Sequence, residues 1–299
     1  MNTIKRRGFL KMTAGLVSAF PAAADDRDIP ARNKRPVFGA YDRVRLGGTG
    51  IATSRLCFGT GYKAFNRVSE QTRLGRANLV ALLRAGYERG IRCFDSADLY
   101  GTHGHLSEAL KPFPRDSYTL ISKIWWRKGG VPEEDKTNVT SQVERYLKEL
   151  TTDHIDIVQL HCLDSGAWAT EMAEMMAALD TCKQAGKIRA HGVSIHGLAA
   201  LQASSGVSWL DVAHVRINPF GAKMNGPVEE NMRVIAELHK QGKGVIGIKI
   251  LGEGTFAQDS DKVNESLAFA LKSGCVDMLD IAFMNSGQID DIAMRIAKV

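Results

Sequence analysis

Four side chains of complementary chemistry stand at or just beyond the ends of apolar runs. Asp95 closes the run at residues 91–94, and Tyr100 follows it within the stretch GIRCFDSADLYG, residues 90–101. The run YTLISK ends in Lys123, and HIDIVQLH ends in His161. A carboxylate, a phenol, an ammonium and an imidazole facing one pocket are equipped for carbonyl reduction. Hydride delivery to a carbonyl leaves an alkoxide that must be protonated, so the site needs a general acid and a cofactor that donates hydride. A tyrosine, normally with a pKa of about 10, serves as that acid when a cation draws it down. Lys123 supplies the cation, Asp95 holds Lys123 by an ion pair, and His161 hydrogen-bonds the substrate oxygen.

Each residue alone has a plainer explanation. Asp95 before Ser96 can cap a turn, Tyr100 before Gly101 can be a surface aromatic, Lys123 can snorkel at a rim, and His161 can be a satisfied core histidine. Their joint placement at the C-terminal ends of the second, third and fourth strands argues for function, because that face of a parallel barrel carries catalytic residues.

The elements that must position them recur rhythmically. Strand-like runs occur at residues 55–59, 91–95, 118–123, 154–161, 188–194, 210–217, 244–250 and 276–283, with helical spacing between them at 138–150, 169–185 and 228–241. Eight strand–helix units in about 245 residues predict an α/β fold, a single (β/α)8 TIM barrel. Residues 43–46 and 51–54 flank GGTG and predict a small N-terminal hairpin. A doubly wound open sheet is the runner-up, but it needs a Gly-rich turn leading into a helix, and GGTG leads into a short strand-like stretch.

Residues 1–24 stand apart. Lys5, Arg6, Arg7 and Lys11 precede or enter an apolar run that ends in small residues, the order of an export signal, and the paired arginines resemble a twin-arginine signal. A basic tail or a short anchor is the alternative. Removing this segment removes four cations and no acid, so the formal charge falls from +6 to +2 and nucleic acid binding loses its support. No run reaches the roughly 20 residues of a membrane span. Residues 25–40 read as a polar arm, leaving the barrel at 41–299. The expected partners are therefore the twin-arginine export machinery and a small-molecule carbonyl or alcohol, with a periplasmic or exported location. The five cysteines include no C-x-x-C pair. No disulfide framework is expected, and Cys57, Cys93 and Cys162 read as small core hydrophobes.

The stretch at 90–101, ISK at 121–123 and QLH at 159–161 together resemble the aldo-keto reductase family, from about Val44 to near the C-terminus. GKIR at 186–189 followed by GVS at 192–194 is similar to the segment whose serine contacts the nicotinamide amide. The resemblance implies NADPH or NADH and reversible aldehyde or ketone reduction. Tyr100 is then the acid, with Asp95 and Lys123 tuning it and His161 orienting the carbonyl. It also implies cofactor contacts at Thr60, Ser194, His214, Lys249, Leu251 and Gly252. Ile195 replaces the family's asparagine, His214 its glutamine, and Ile248 the aromatic that many relatives stack on nicotinamide. The Gly-rich turn KILGEG at 249–254 can cradle a pyrophosphate with backbone N–H groups and one ammonium, or be an ordinary bend. Basic residues for a 2′-phosphate are not evident at 283–292.

Two rival readings remain. One is a catalytically silent nucleotide-binding or regulatory barrel. The other is a metal-dependent hydrolase built on His103, His105, His191 and His196, although solvated loop histidines with no metal bound are the plainer expectation. Trp125 and Trp126 wall a pocket or pack its rim. The chain ends soon after the eighth helical pattern, which predicts an open pocket.

Overall fold

A computed structural model describes residues 38–224 and 226–299. The leader expected at 1–24 and nearly all of the arm at 25–40 lie outside the described residues. β1 (Arg43–Arg45) and β2 (Ala52–Ser54) pair antiparallel, with Arg43 opposite Ser54, as the expected hairpin. The first barrel units then follow as β3 (Leu56–Gly59), α1 (Arg76–Arg89), β4 (Cys93–Asp95), α2 (His103–Leu110), β5 (Thr119–Ile124) and α3 (Val139–Leu150). The middle of the chain forms β6 (Ile155–Leu163), α4 (Trp168–Glu171), α5 (Ala173–Gln184), β7 (Ile188–Ile195) and α6 (Leu198–Ser204). The circuit finishes with β8 (Val212–Arg216), α7 (Val228–Lys240), β9 (Gly244–Ile248), α8 (Ser260–Lys272), β10 (Met278–Ala282) and α9 (Ser286–Ile296). Strands β3 to β10 close in chain order into a parallel barrel, β10 pairing with β3. No helix among the described residues is long and apolar enough to cross a membrane.

The barrel interior is layered by the two-residue period of a strand. Cys57, Cys93, Ile121, Ile157, Ala190, Val212, Ile246 and Met278, one from each barrel strand, form a buried inner cluster with Leu46 and Ile51 of the hairpin. The hairpin therefore plugs the bottom of the barrel. Two residues further along the same strands stand Gly59, Asp95, Lys123, Gln159, Gly192, His214, Ile248 and Asp280. The apolar layer supports a polar one, and the chemistry sits on its top face. Residues of opposite parity, such as Phe58, Phe94, Leu120 and Val158, pack outward in the cluster shared with the helices.

The helices start where their sequences can satisfy free N–H groups. Asn138 accepts from the Ser141 amide at the start of α3, Asp259 from Lys262 at α8, and Asn285 from Gln288 at α9; each such cap is worth about 1 kcal/mol. On α3 the residues Val143, Tyr146, Leu147 and Leu150 are buried against the barrel, each contributing about 1.5–3 kcal/mol through apolar area removed from water. The helix expected over 169–185 is two pieces divided at Met172 (φ −104°, ψ 13°). Trp168 anchors the first piece, donating its indole N–H to the Ala200 carbonyl at 3.2 Å.

Candidate active site

The ends of β4, β5 and β6 bring the four expected residues together. Asp95 and Lys123 are both almost fully buried and form a direct ion pair, and Lys123 also donates to the Ser96 carbonyl at 3.0 Å. Tyr100 follows on a short 3-10 turn after β4, closed by Gly101 at φ 68°. Its hydroxyl lies 3.2 Å from His161 Nε2, so one carbonyl oxygen can rest against both groups. These residues line a cavity of about 510 Å³ at the C-terminal face, within the usual range for a small-molecule site.

The electrostatics differ from the simplest expectation. Burial, followed by the charge on Asp95, pushes the Tyr100 phenol well above its usual value instead of below it. The Lys123 ammonium sits over the Tyr100 ring, 5.0 Å from its centroid, with its hydrogen bonds directed to Asp95 and Ser96. Tyr100 therefore keeps its proton and gives it up only to an oxygen on which negative charge is developing. Burial and the nearby Lys123 charge keep His161 well below the usual histidine value, so its imidazole is neutral. Burial pushes the Asp95 carboxyl up, while Lys123 pulls it back.

His161 is placed by a bulge. The β6–β7 register shifts between Leu160 and Leu163, and Cys162 takes φ 62°, a conformation uncommon for a residue with a side chain. Trp126 donates its indole N–H to the His161 carbonyl at 2.8 Å. Trp125 packs against Leu99 and Val131 and bonds the Gly129 carbonyl at 2.6 Å. Both tryptophans thus support the site from outside the cavity. Cys57 and Cys93 are buried core residues as expected, but Cys162 is not a core hydrophobe: it lines the cavity 3.4 Å from His196.

The chain matches the Aldo/keto reductase family over residues 55–282. It belongs to that family. Among curated relatives it is 28% identical to the Aldo-keto reductase YhdN of Bacillus subtilis over 71% of this chain and 65% of that protein. It is 36% identical to the Methylglyoxal reductase YeaE of Escherichia coli over 42% of each chain. The matches therefore span less than two thirds of these relatives' own length. A solved structure from Pseudomonas aeruginosa, assigned as an aldo-keto reductase, superposes with a TM-score of 0.69 at 25% identity, covering 88% of this chain and 98% of that one.

The cofactor positions implied by the aldo-keto reductase resemblance divide into two groups. Ser194, His214, Lys249 and Leu251 line the cavity. Thr60 does not face it: its hydroxyl is fully buried, donates to the Asp95 carbonyl at 2.7 Å and pairs with Thr102 at 2.8 Å, which fixes the strand end. Gly252 shapes the turn at φ 59°, where a side chain would strike Phe256 2.5 Å away. Lys249 is already paired with Glu253 at 2.5 Å, so an anion bound there competes with a carboxylate.

The loop-histidine expectation needs correction. His103 is buried at the start of α2, 2.6 Å from Glu149 and 2.8 Å from the Ser122 hydroxyl. This Ser–His–Glu chain resembles a hydrolytic triad, but Ser122 is fully buried behind the barrel wall, so the chain ties α2 and α3 to β5. His191 is also buried, stacked on Trp209 with ring centroids 4.1 Å apart. His196 lines the cavity and accepts at Nδ1 from Arg216 at 2.6 Å, which leaves its proton on Nε2, facing Cys162. Among the described residues, two clusters, His161–Cys162–His196 and Asp95–His214–Asp280, gather possible metal ligands within 4.8 Å. In the first, the Arg216 bond fixes His196 in a tautomer whose remaining nitrogen is a donor. In the second, the Lys123 ammonium already occupies Asp95. Asp280 also lines the cavity, and its only mark in the sequence is its position two residues after the inward-facing Met278.

Proposed function

We propose that this chain is an NAD(P)-dependent oxidoreductase that transfers hydride reversibly between a nicotinamide dinucleotide and a small carbonyl or alcohol. The observation that carries the reading is the Tyr100–His161 pair beside the buried Asp95–Lys123 ion pair. The dinucleotide supplies the hydride. An orphaned buried side chain fits such a guest: neither His214 ring nitrogen has a hydrogen-bond partner, and His214 lines the cavity. Ser194 and His214 would hold the carboxamide, and the turn at Lys249 and Leu251 the pyrophosphate.

The protein's own part is proton handling and orientation. Neutral His161 directs a carbonyl oxygen toward the Tyr100 hydroxyl, and Tyr100 gives that oxygen its proton as charge develops on it. Asp95 and Lys123 set the field beneath the ring. Microscopic reversibility makes Tyr100 the base in alcohol oxidation. The Methylglyoxal reductase among the relatives makes small reactive aldehydes the first substrates to try.

The export reading belongs to the same proposal. Its support is the order of charged, apolar and small residues over 1–24, and recovery of the mature chain in a periplasmic fraction tests it. An exported enzyme of this kind would carry its dinucleotide with it, and retention of nucleotide through purification checks that. For the chemistry, Tyr100→Phe should abolish carbonyl reduction while leaving dinucleotide binding intact. Loss of both, or of neither, would contradict the assignment.

A further inference from the structure

Asp280 lies in the same polar layer as Asp95, Lys123 and His214. His214 Nε2 is 3.6 Å from Asp95 Oδ1 and 3.9 Å from Asp280 Oδ2, and the three residues present these groups within 4.8 Å of one another. Gly59 makes the room, since a Cβ there would stand 2.6 Å from Asp280 Oδ1. The layer thus holds two carboxyl groups and one ammonium, and that ammonium is bonded to Asp95 and the Ser96 carbonyl. Two ionised carboxylates this close in a buried site repel each other more than one shared cation offsets, so the pair retains a proton.

The partners decide where that proton sits. Asp95 has Lys123 in contact, whereas Asp280 Oδ1 is buried with no hydrogen-bond partner. We infer that Asp280 is a positioning residue that keeps this proton and donates it in a hydrogen bond to the Asp95 carboxylate, holding Asp95 on Lys123 beneath Tyr100. The groups facing Asp280 are the Cys57 thiol from β3, Asp95 from β4, Lys123 from β5, His214 from β8 and Lys249 just after β9. Burial, then the charge on Asp95, drives the Asp280 carboxyl well above the ordinary range, and burial keeps His214 neutral. As pH rises, Asp280 eventually ionises against Asp95 and loosens the ion pair that supports the acid.

The kinetic arm of the test rests on the proposed reductase chemistry; the spectroscopic arm does not. Full-length protein and its Asp280→Asn and Asp280→Leu variants are compared. Asparagine keeps a donor at the same reach and cannot ionise, whereas leucine removes the donor. The infrared spectrum of the parent protein at neutral pH should contain the carbonyl stretch of a protonated carboxylic acid, and Asp280→Asn should lack it. In carbonyl reduction, Asp280→Asn should retain kcat within about threefold. Asp280→Leu should lose at least about tenfold in kcat with little change in KM. The alkaline limb of the Asp280→Asn profile should move to higher pH. Absence of the acid band, or an asparagine variant as impaired as the leucine one, would overturn the inference. If Asp280→Leu does not fold, the band and the asparagine pH profile decide; if no carbonyl is turned over, the band alone does.

Discussion

The Lys123 ammonium lies 5.0 Å from the centroid of the Tyr100 ring while bonding Asp95 and the Ser96 carbonyl. It acts on Tyr100 through the ring face and through the Asp95 charge it balances. Replacing it exposes a buried carboxylate. Lys123→Met should destabilise the fold by about 3–5 kcal/mol, because an unpaired buried charge is left behind. The double substitution Asp95→Leu/Lys123→Met should recover much of that loss, yet both proteins should be inactive. Denaturant unfolding of the two single variants and the double variant measures the coupling. A double variant no more stable than Lys123→Met would show that the cost lies outside the pair.

Glu149 links α3 to the buried His103. Burial opposes its ionisation, but the His103 hydrogen bond and charge, with Arg145 adding to them, hold its carboxyl down at about 2. A depressed native value gives stability that is fully present above the unfolded value of about 4.3 and is lost as pH falls toward 2. The side chain is 35% exposed, so solvent screening reduces the contribution to about 1–2 kcal/mol. Glu149→Gln should lower unfolding stability by that amount at pH 7 and flatten the acid decline. An unchanged slope from pH 4 to pH 2 would assign the decline to other carboxylates.

Glu253 should weaken dinucleotide binding, because it already holds Lys249 at the Gly-rich turn. Freeing the ammonium with Glu253→Gln should tighten binding by several-fold at low salt, an effect that shrinks as salt is added. Lys249→Met should weaken it. Titration followed by tryptophan emission checks both, and equal affinities in all three proteins would remove this turn from the pyrophosphate site.

Gly59 has a testable steric role. A methyl group there lies 2.6 Å from Asp280 Oδ1. Gly59→Ala should therefore displace the Asp280 carboxyl and destabilise the protein by about 1–3 kcal/mol, the usual range for overpacking. A thermal melt unchanged from the parent would mean that the strand ends shift freely.

Most of the barrel was readable because strand and helix periods differ and both repeat. The runs ending at Asp95, Lys123 and His161 were apolar enough to mark strand ends, so the catalytic candidates followed from their positions. Asp280 was hidden because a single acid inside residues 276–283 looks like an interruption until the inward parity of Met278 is known. The burial of His103 is hidden for a related reason: its partners, Glu149 and Ser122, lie on α3 and β5, and no local pattern announces a contact across that span. Cys162 looked like part of an apolar strand because the bulge that turns it into the cavity leaves no mark in composition.

Protonation of a carbonyl oxygen by Tyr100 is read out by following nicotinamide absorbance as the parent protein and Tyr100→Phe reduce methylglyoxal, with NADH and NADPH each titrated separately into both proteins. A loss of kcat of at least about a hundredfold, with dinucleotide affinity preserved, is the predicted result. Equal turnover by the two proteins would contradict it.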